Sequence, residues 1–182
     1  MATLTDLLWP TYEVVADVAP RPWNELGGEF LEGHELLDVR LDPGRSTVGA
    51  MIIDGPDLRV VVARRVRAVS WELGTHDLPR LGDRFAREVG ISALSTTPDG
   101  LLRWGLRVER GSDLIVTASE FACYQVHVDG LPDAPPDYTE LDDAAIYLQR
   151  PDWTSPFRLL SWARRTADLE SPSGRLPGVD GT

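Results

Sequence analysis

The sequence predicts an α+β fold, with a mostly antiparallel sheet of about seven to nine strands, a central amphipathic helix over about 77–89 and a C-terminal helix over about 156–169. Three observations carry that expectation. Leu37, Val39 and Leu41 alternate with Asp38, Arg40 and Asp42, the period of a strand with one buried face. Turn signals recur at short intervals, as Pro43-Gly44, Asp54-Gly55-Pro56-Asp57 and Pro98-Asp99-Gly100. Two segments instead place apolar residues at helical spacing behind a good N-terminal signal.

Along the chain, Pro10, Pro20 and Pro22 interrupt the opening, which leaves a short helix before Pro10 and a second short element from Tyr12 to Val18. The first strand starts at Glu35, the second covers Thr47 to Ile53, and a β-branched run from Leu58 to Leu73 supplies the next. Asp77 can cap a helix with Pro79 in its first turn. Leu81, Phe85 and Val89 then fall at i, i+4 and i+8, with Arg80, Arg84, Arg87 and Glu88 opposite and Gly90 at the end. ISALSTT, LLRWGLRVE, LIVTAS and EFACYQVHV read as a meander of about four further strands. Residues 129–156 are rich in proline and read as a long ordered loop. Ser155 and Pro156 fit the N-cap and first position of a helix through PFRLLSWARRTADLE. One globular domain over 1–170 and a disordered tail over 171–182 are expected.

Composition removes several function classes. The net charge of −11 repels phosphate backbones and anionic membrane surfaces, so neither nucleic acid nor membrane is an expected partner, and a basic protein is. No stretch approaches the ~20 apolar residues of a spanning helix. The first twenty residues carry Asp6, Glu13 and Asp17 and no arginine, the wrong polarity for a secretory leader, which points to the cytoplasm. Cys123 is the only cysteine, so neither an intrachain disulfide nor a thiolate metal cage can form. All 18 basic residues are arginine and Asn24 is the only asparagine, the signature of a GC-rich genome rather than of an activity.

The residue patterns that usually carry chemistry fail on spacing. Cys123 and His127 would share a strand face, but four residues of strand span ~13 Å, too far for a nucleophile and its base, so Cys123 reads as a small buried hydrophobe. His34 and His76 sit beside acids without metal-ligand spacing. The glycines form neither a P-loop nor GxGxxG, and GxSxG does not occur. Asp38 and Asp42, flanking Arg40, read as a solvated sheet face. Adjacent Arg64 and Arg65 must point to opposite faces unless a bulge intervenes, and with Arg59 and Arg67 they could bind an anion or blunt an edge strand, the edge being the favoured reading. No catalytic, cofactor-binding or metal-ligating residue is assigned.

What remains is DGLPDAPPDYTELDD, residues 129–143, with six acids and no arginine. An aromatic among carboxylates suits an interface, because the ring contributes contact area while the acids steer a basic partner. The candidate partner-binding residues are therefore Asp129, Asp133, Asp137, Tyr138, Glu140, Asp142 and Asp143, joined by Trp153 from the same proline-rich region. Trp71, Trp104 and Trp162 belong to regular elements and are expected in the core; Trp9, Trp23 and Trp153 lie beside prolines as candidate exposed anchors.

The 34-residue stretch TPDGLLRWGLRVERGSDLIVTASEFACYQVHVDG resembles small, β-rich bacterial proteins of the polymorphic-toxin immunity type in its DG turn, alternating strand, polar turn and aromatic-bearing strand. The lysine-free composition and the long acidic loop are not shared features. The resemblance implies a non-enzymatic cytoplasmic protein that plugs a toxin's active site, and the acidic balance suits a basic toxin such as a nuclease. Two other readings stay open. One is a small-molecule-binding or enzymatic domain with an apolar pocket at Trp104, Phe121 and Tyr124 under the C-terminal helix; the other is a structural protein that self-associates as a homodimer through a sheet edge.

Overall fold

A computed structural model describes residues 2–9, 15, 17–72, 88–108, 112–131 and 150–167. Seven strands form one antiparallel sheet: β1 (Glu35–Asp42), β2 (Thr47–Asp54), β3 (Asp57–Glu72), β4 (Val89–Thr96), β5 (Leu102–Val108), β6 (Ser112–His127) and β7 (Arg158–Thr166). Their order is β1-β2-β3-β6-β5-β4, with β7 also paired to β6. The helical elements with described bounds are short: α1 (Leu4–Leu8) and 3₁₀ turns at Trp23–Glu25, Gly28–Leu31 and Pro43–Arg45. None is long and apolar enough to cross a membrane.

This corrects the α+β expectation. The segment expected as a C-terminal helix over 156–169 is strand β7, antiparallel to the second half of β6, with Tyr124 opposite Trp162 and Cys123 opposite Ala163. The sequence RLLSWARRT satisfies either period, and the deciding term is tertiary. β5 covers β6 only from Ser112 to Ala118, so the backbone from Glu120 to His127 needs another partner on that side. The central helix expected over 77–89 lies outside the described residues through position 87; Val89, the last of its apolar triad, begins strand β4. The segments LIVTAS and EFACYQVHV, expected as two strands, are one sixteen-residue strand, β6.

The long strands bend together. Buried inner-face positions of β6 run Leu114, Val116, Ala118 and then Phe121, Cys123, so the alternation breaks at Ser119–Glu120. On the partner strand, Arg65 adopts a left-handed φ of 54°, and the pairing shifts by one residue between Val66 and Ala68. A bulge of this kind adds twist and turns a flat sheet into a corner. The bulge also settles the Arg64–Arg65 pair, which regular alternation could not place. The curled sheet brings its first and last strands together at one end, where Glu35 bridges Glu88. There Gly33 N–H donates to Val89 O and Val89 N–H to His34 O, both at 2.8 Å.

Two apolar layers result. The inner face holds Trp104 and Phe121 edge to face at 6.2 Å, together with Val61, Ile52 and Val116 and with Leu26 and Leu31 from the 3₁₀ segment. Trp104 Nε1 donates to the buried Ser92 Oγ at 3.0 Å, which satisfies the indole inside the core. The outer face of β1, β2, β3 and β6 carries Met51, Val60, Val62 and Tyr124 under α1 and Trp153. Gly49 marks their closest approach, because a Cβ there would lie 2.4 Å from Leu8 Cδ2 and 2.7 Å from the Trp153 ring. Gly49→Ala is expected to cost about 1–3 kcal/mol by overpacking, read as a lower urea midpoint at unchanged m value; an unchanged midpoint would show that α1 and Trp153 do not pack on β2.

Candidate functional site

The acidic segment leaves the sheet at the end of β6. His127, the last residue of that strand, has Nδ1 3.4 Å from Asp57 Oδ1 and Nε2 3.7 Å from Asp129 Oδ1. Asp57 also accepts from Gln125 Nε2 at 3.1 Å, and Gln125 Oε1 accepts from Ser161 Oγ at 2.9 Å. The serine, amide, carboxylates and imidazole tie β3, β6 and β7 together. Ser161 meets Gln125 rather than the imidazole, so the arrangement lacks the serine–histidine contact that nucleophile activation requires. Asp129 then projects with its side chain 90% exposed. Asp133, Asp137, Tyr138, Glu140, Asp142 and Asp143 lie outside the described residues.

Trp153 is placed differently from the other candidates. It is only 7% exposed, packs in the outer core and donates from Nε1 to Asp38 Oδ2 at 2.7 Å. It anchors the returning chain to β1 rather than offering a surface. Of the other tryptophans, Trp104 is buried as expected, whereas Trp71 is 47% exposed on an open stretch of β3. Its position in a regular element predicted burial, but β2 ends opposite Arg64, and among the described residues no strand continues along that stretch on the side of β2.

Cys123 and His127 do not meet. Cys123 is fully buried and its Sγ lies 3.3 Å from Leu26 O, while His127 turns to Asp57. Trp104, Phe121 and Tyr124 do not line one pocket either: the first two fill the inner core and Tyr124 faces the outer one. Among the described residues, no group of three or more His, Cys, Asp or Glu side chains is arranged to hold a metal ion.

A charge cluster centres on Glu120, which is 6% exposed. Arg64 Nη1 donates to Glu120 Oε1 and Arg164 Nη2 to Glu120 Oε2, both at 2.7 Å. Arg64 also reaches Leu8 O at 3.2 Å, Leu7 O at 2.9 Å and Tyr124 Oη at 2.8 Å. Its guanidinium therefore satisfies carbonyls at the C-terminal end of α1 while joining β3 to β6. The groups are spent on the fold. Burial pushes the Tyr124 phenol above its ordinary value, against the opposing pull of Arg64. A phenol held neutral in the fold contributes stability below the unfolded value of 10.0 and loses it as pH rises further. Unfolding free energy should therefore fall above about pH 10, and the fall should be shallower in Tyr124→Phe; identical alkaline profiles would contradict the assignment.

Sequence reasoning missed a surface groove beside β4. It has a volume of about 380 Å³ and is lined by Trp23, Gly27, Phe30, Leu94, Thr96 and Arg165. The Trp23 ring lies against Gly27, where a Cβ would sit 2.6 Å from it, and Phe30 is 53% exposed. Ser92 N–H donates outward to Glu32 Oε1 at 3.0 Å, so by strand alternation the backbone groups of Leu94 and Thr96 also face away from β5. Gly27-Gly28 and the aromatics around it were the available signal, but only the curl of the sheet brings them to the β4 edge.

Comparison with protein-family models, curated proteins and solved structures returned no match.

Proposed function

We propose that this chain is a non-enzymatic protein-binding module that recognises a basic protein through its acidic surface. The observation that carries the reading is the concentration of charge in 129–143, where six acids stand without a basic residue in a chain of net charge −11. The contrast with the interior supports it. The buried Glu120 is matched within the fold by Arg64 and Arg164, whereas Asp129 opens the acidic run with its side chain 90% exposed. A field of one sign on one surface steers an oppositely charged partner and raises its association rate. The β4 groove, with its exposed phenylalanine and outward backbone groups, offers apolar and hydrogen-bonding contacts of the kind that retain a partner once docked.

The finer form of the proposal is an immunity protein acting on a basic toxin in the cytoplasm. Its support is the immunity-type strand pattern of 97–130 together with the charge balance. The test is capture of the product of the adjacent gene, followed by association kinetics. Replacing Asp129, Asp133, Asp137, Glu140, Asp142 and Asp143 by Asn or Gln should slow association about 10-fold or more, with a smaller change in dissociation. Rising salt should slow the native protein in the same way. Unchanged rates in the neutralised variant would overturn the acidic-surface reading.

A further inference from the structure

The second half of β3 has β6 on one side and, among the described residues, an open edge on the other, because β2 pairs only as far as Arg64. The side of this edge is set by Val66, whose N–H points toward β2 and donates to Ser46 O at 2.9 Å. In a strand of L-residues, side chains on one face carry their backbone groups to one side. Val69 and Trp71 lie opposite Val116 and Leu114 and so share the inner face with Val66. Their N–H and C=O groups therefore face the open edge. Both side chains are exposed, at 40% and 47%. An apolar, unpaired edge is a template for strand addition.

We infer that this edge pairs with the same edge of a second copy of the chain in a symmetric antiparallel dimer. The register follows from the residues. With Ser70 opposite Ser70 of the other copy, Val69 and Trp71 fall opposite one another twice, and each such pair exchanges two backbone hydrogen bonds. An aromatic facing a β-branched residue is a favourable cross-strand pair. The inner face also provides a seat for the incoming indole. A groove of about 270 Å³ lined by Leu41, Pro43, Val48, Val66 and Val69 opens beside Val69, on the side where the second copy's Trp71 would arrive. Leu41, at 53% exposed, would be covered with it. Like net charges of −11 oppose the association, and salt screens them over ~8 Å at physiological ionic strength. Dimerisation should therefore strengthen with salt, opposite to the docking of a basic partner.

Light scattering on the full chain across a micromolar dilution series should give twice the chain mass at the upper end. Val69→Pro removes an edge donor without breaking the bonds to β6, and Trp71→Arg removes the apolar anchor; each should give a monomer that melts cooperatively, at a temperature that no longer rises with protein concentration. Ser70→Cys reads the register. Cα atoms of a non-hydrogen-bonded antiparallel pair lie ~4.5 Å apart, within the range of a disulfide, so mild oxidation should link two chains. Ala68→Cys, which would face Glu72 of the other copy, should not link, and Cys123 is buried. A monomer at all concentrations, a dimer that survives both edge variants, or linking by Ala68→Cys and not by Ser70→Cys would each overturn the inference.

Discussion

The bidentate clamp on Glu120 is the interaction on which the remainder of the structure depends. It sits where the inner-face alternation of β6 breaks, opposite Arg64 and next to the left-handed Arg65, and where β6 exchanges β5 for β7. Arg64 arrives from β3 and Arg164 from β7, so one carboxylate ties three strands at the bend. Through Leu7 O and Leu8 O the same arginine fixes α1 on the outer face. A carboxylate so buried is costly alone and stable only with both partners present. The clamp thus favours one arrangement of the layers over others that apolar packing would tolerate.

That geometry also moves function outward. The bend lets the sheet curl until β1 and β4 touch, and the enclosed face fills with Trp104, Phe121 and the aliphatic residues around them. Cysteine, tyrosine and the charged cluster are drawn into packing or pairing. The described surface retains what the fold does not use: the exposed Asp129, the aromatic groove beside β4, and the second half of β3 on the side away from β6. Their described parts lie beside the end of β6, along β4 and along β3 respectively.

Much of the sheet was legible in the sequence, because its signals are local. The strand β1, the turns at 43–44 and 98–100 and the short helix before Pro10 fall where single-residue preferences place them, although a bulge between Leu36 and Asp38 breaks the expected alternation and sends Leu37 and Val39 to opposite faces. The burial of Cys123 and its separation from His127 followed from strand spacing alone. What failed depended on distant chain. RLLSWARRT is a strand because the second half of β6 lacked a neighbour, and no property of those nine residues reports that vacancy. Trp153 is buried because Asp38 offers an acceptor 115 positions away in the chain. The β4 groove likewise unites residues 23–30 with 94–96 and 165, which share nothing in sequence.

The most direct test of the clamp is a double-mutant cycle in folding stability, with Arg64→Met, Glu120→Gln and the two combined. A structure held at this point predicts a coupling energy of at least about 1 kcal/mol, with each single variant strongly destabilised and the pair less so than their sum. Single effects that add to within about 0.5 kcal/mol would show that Arg64 and Glu120 do not act together, and the bend would need another cause.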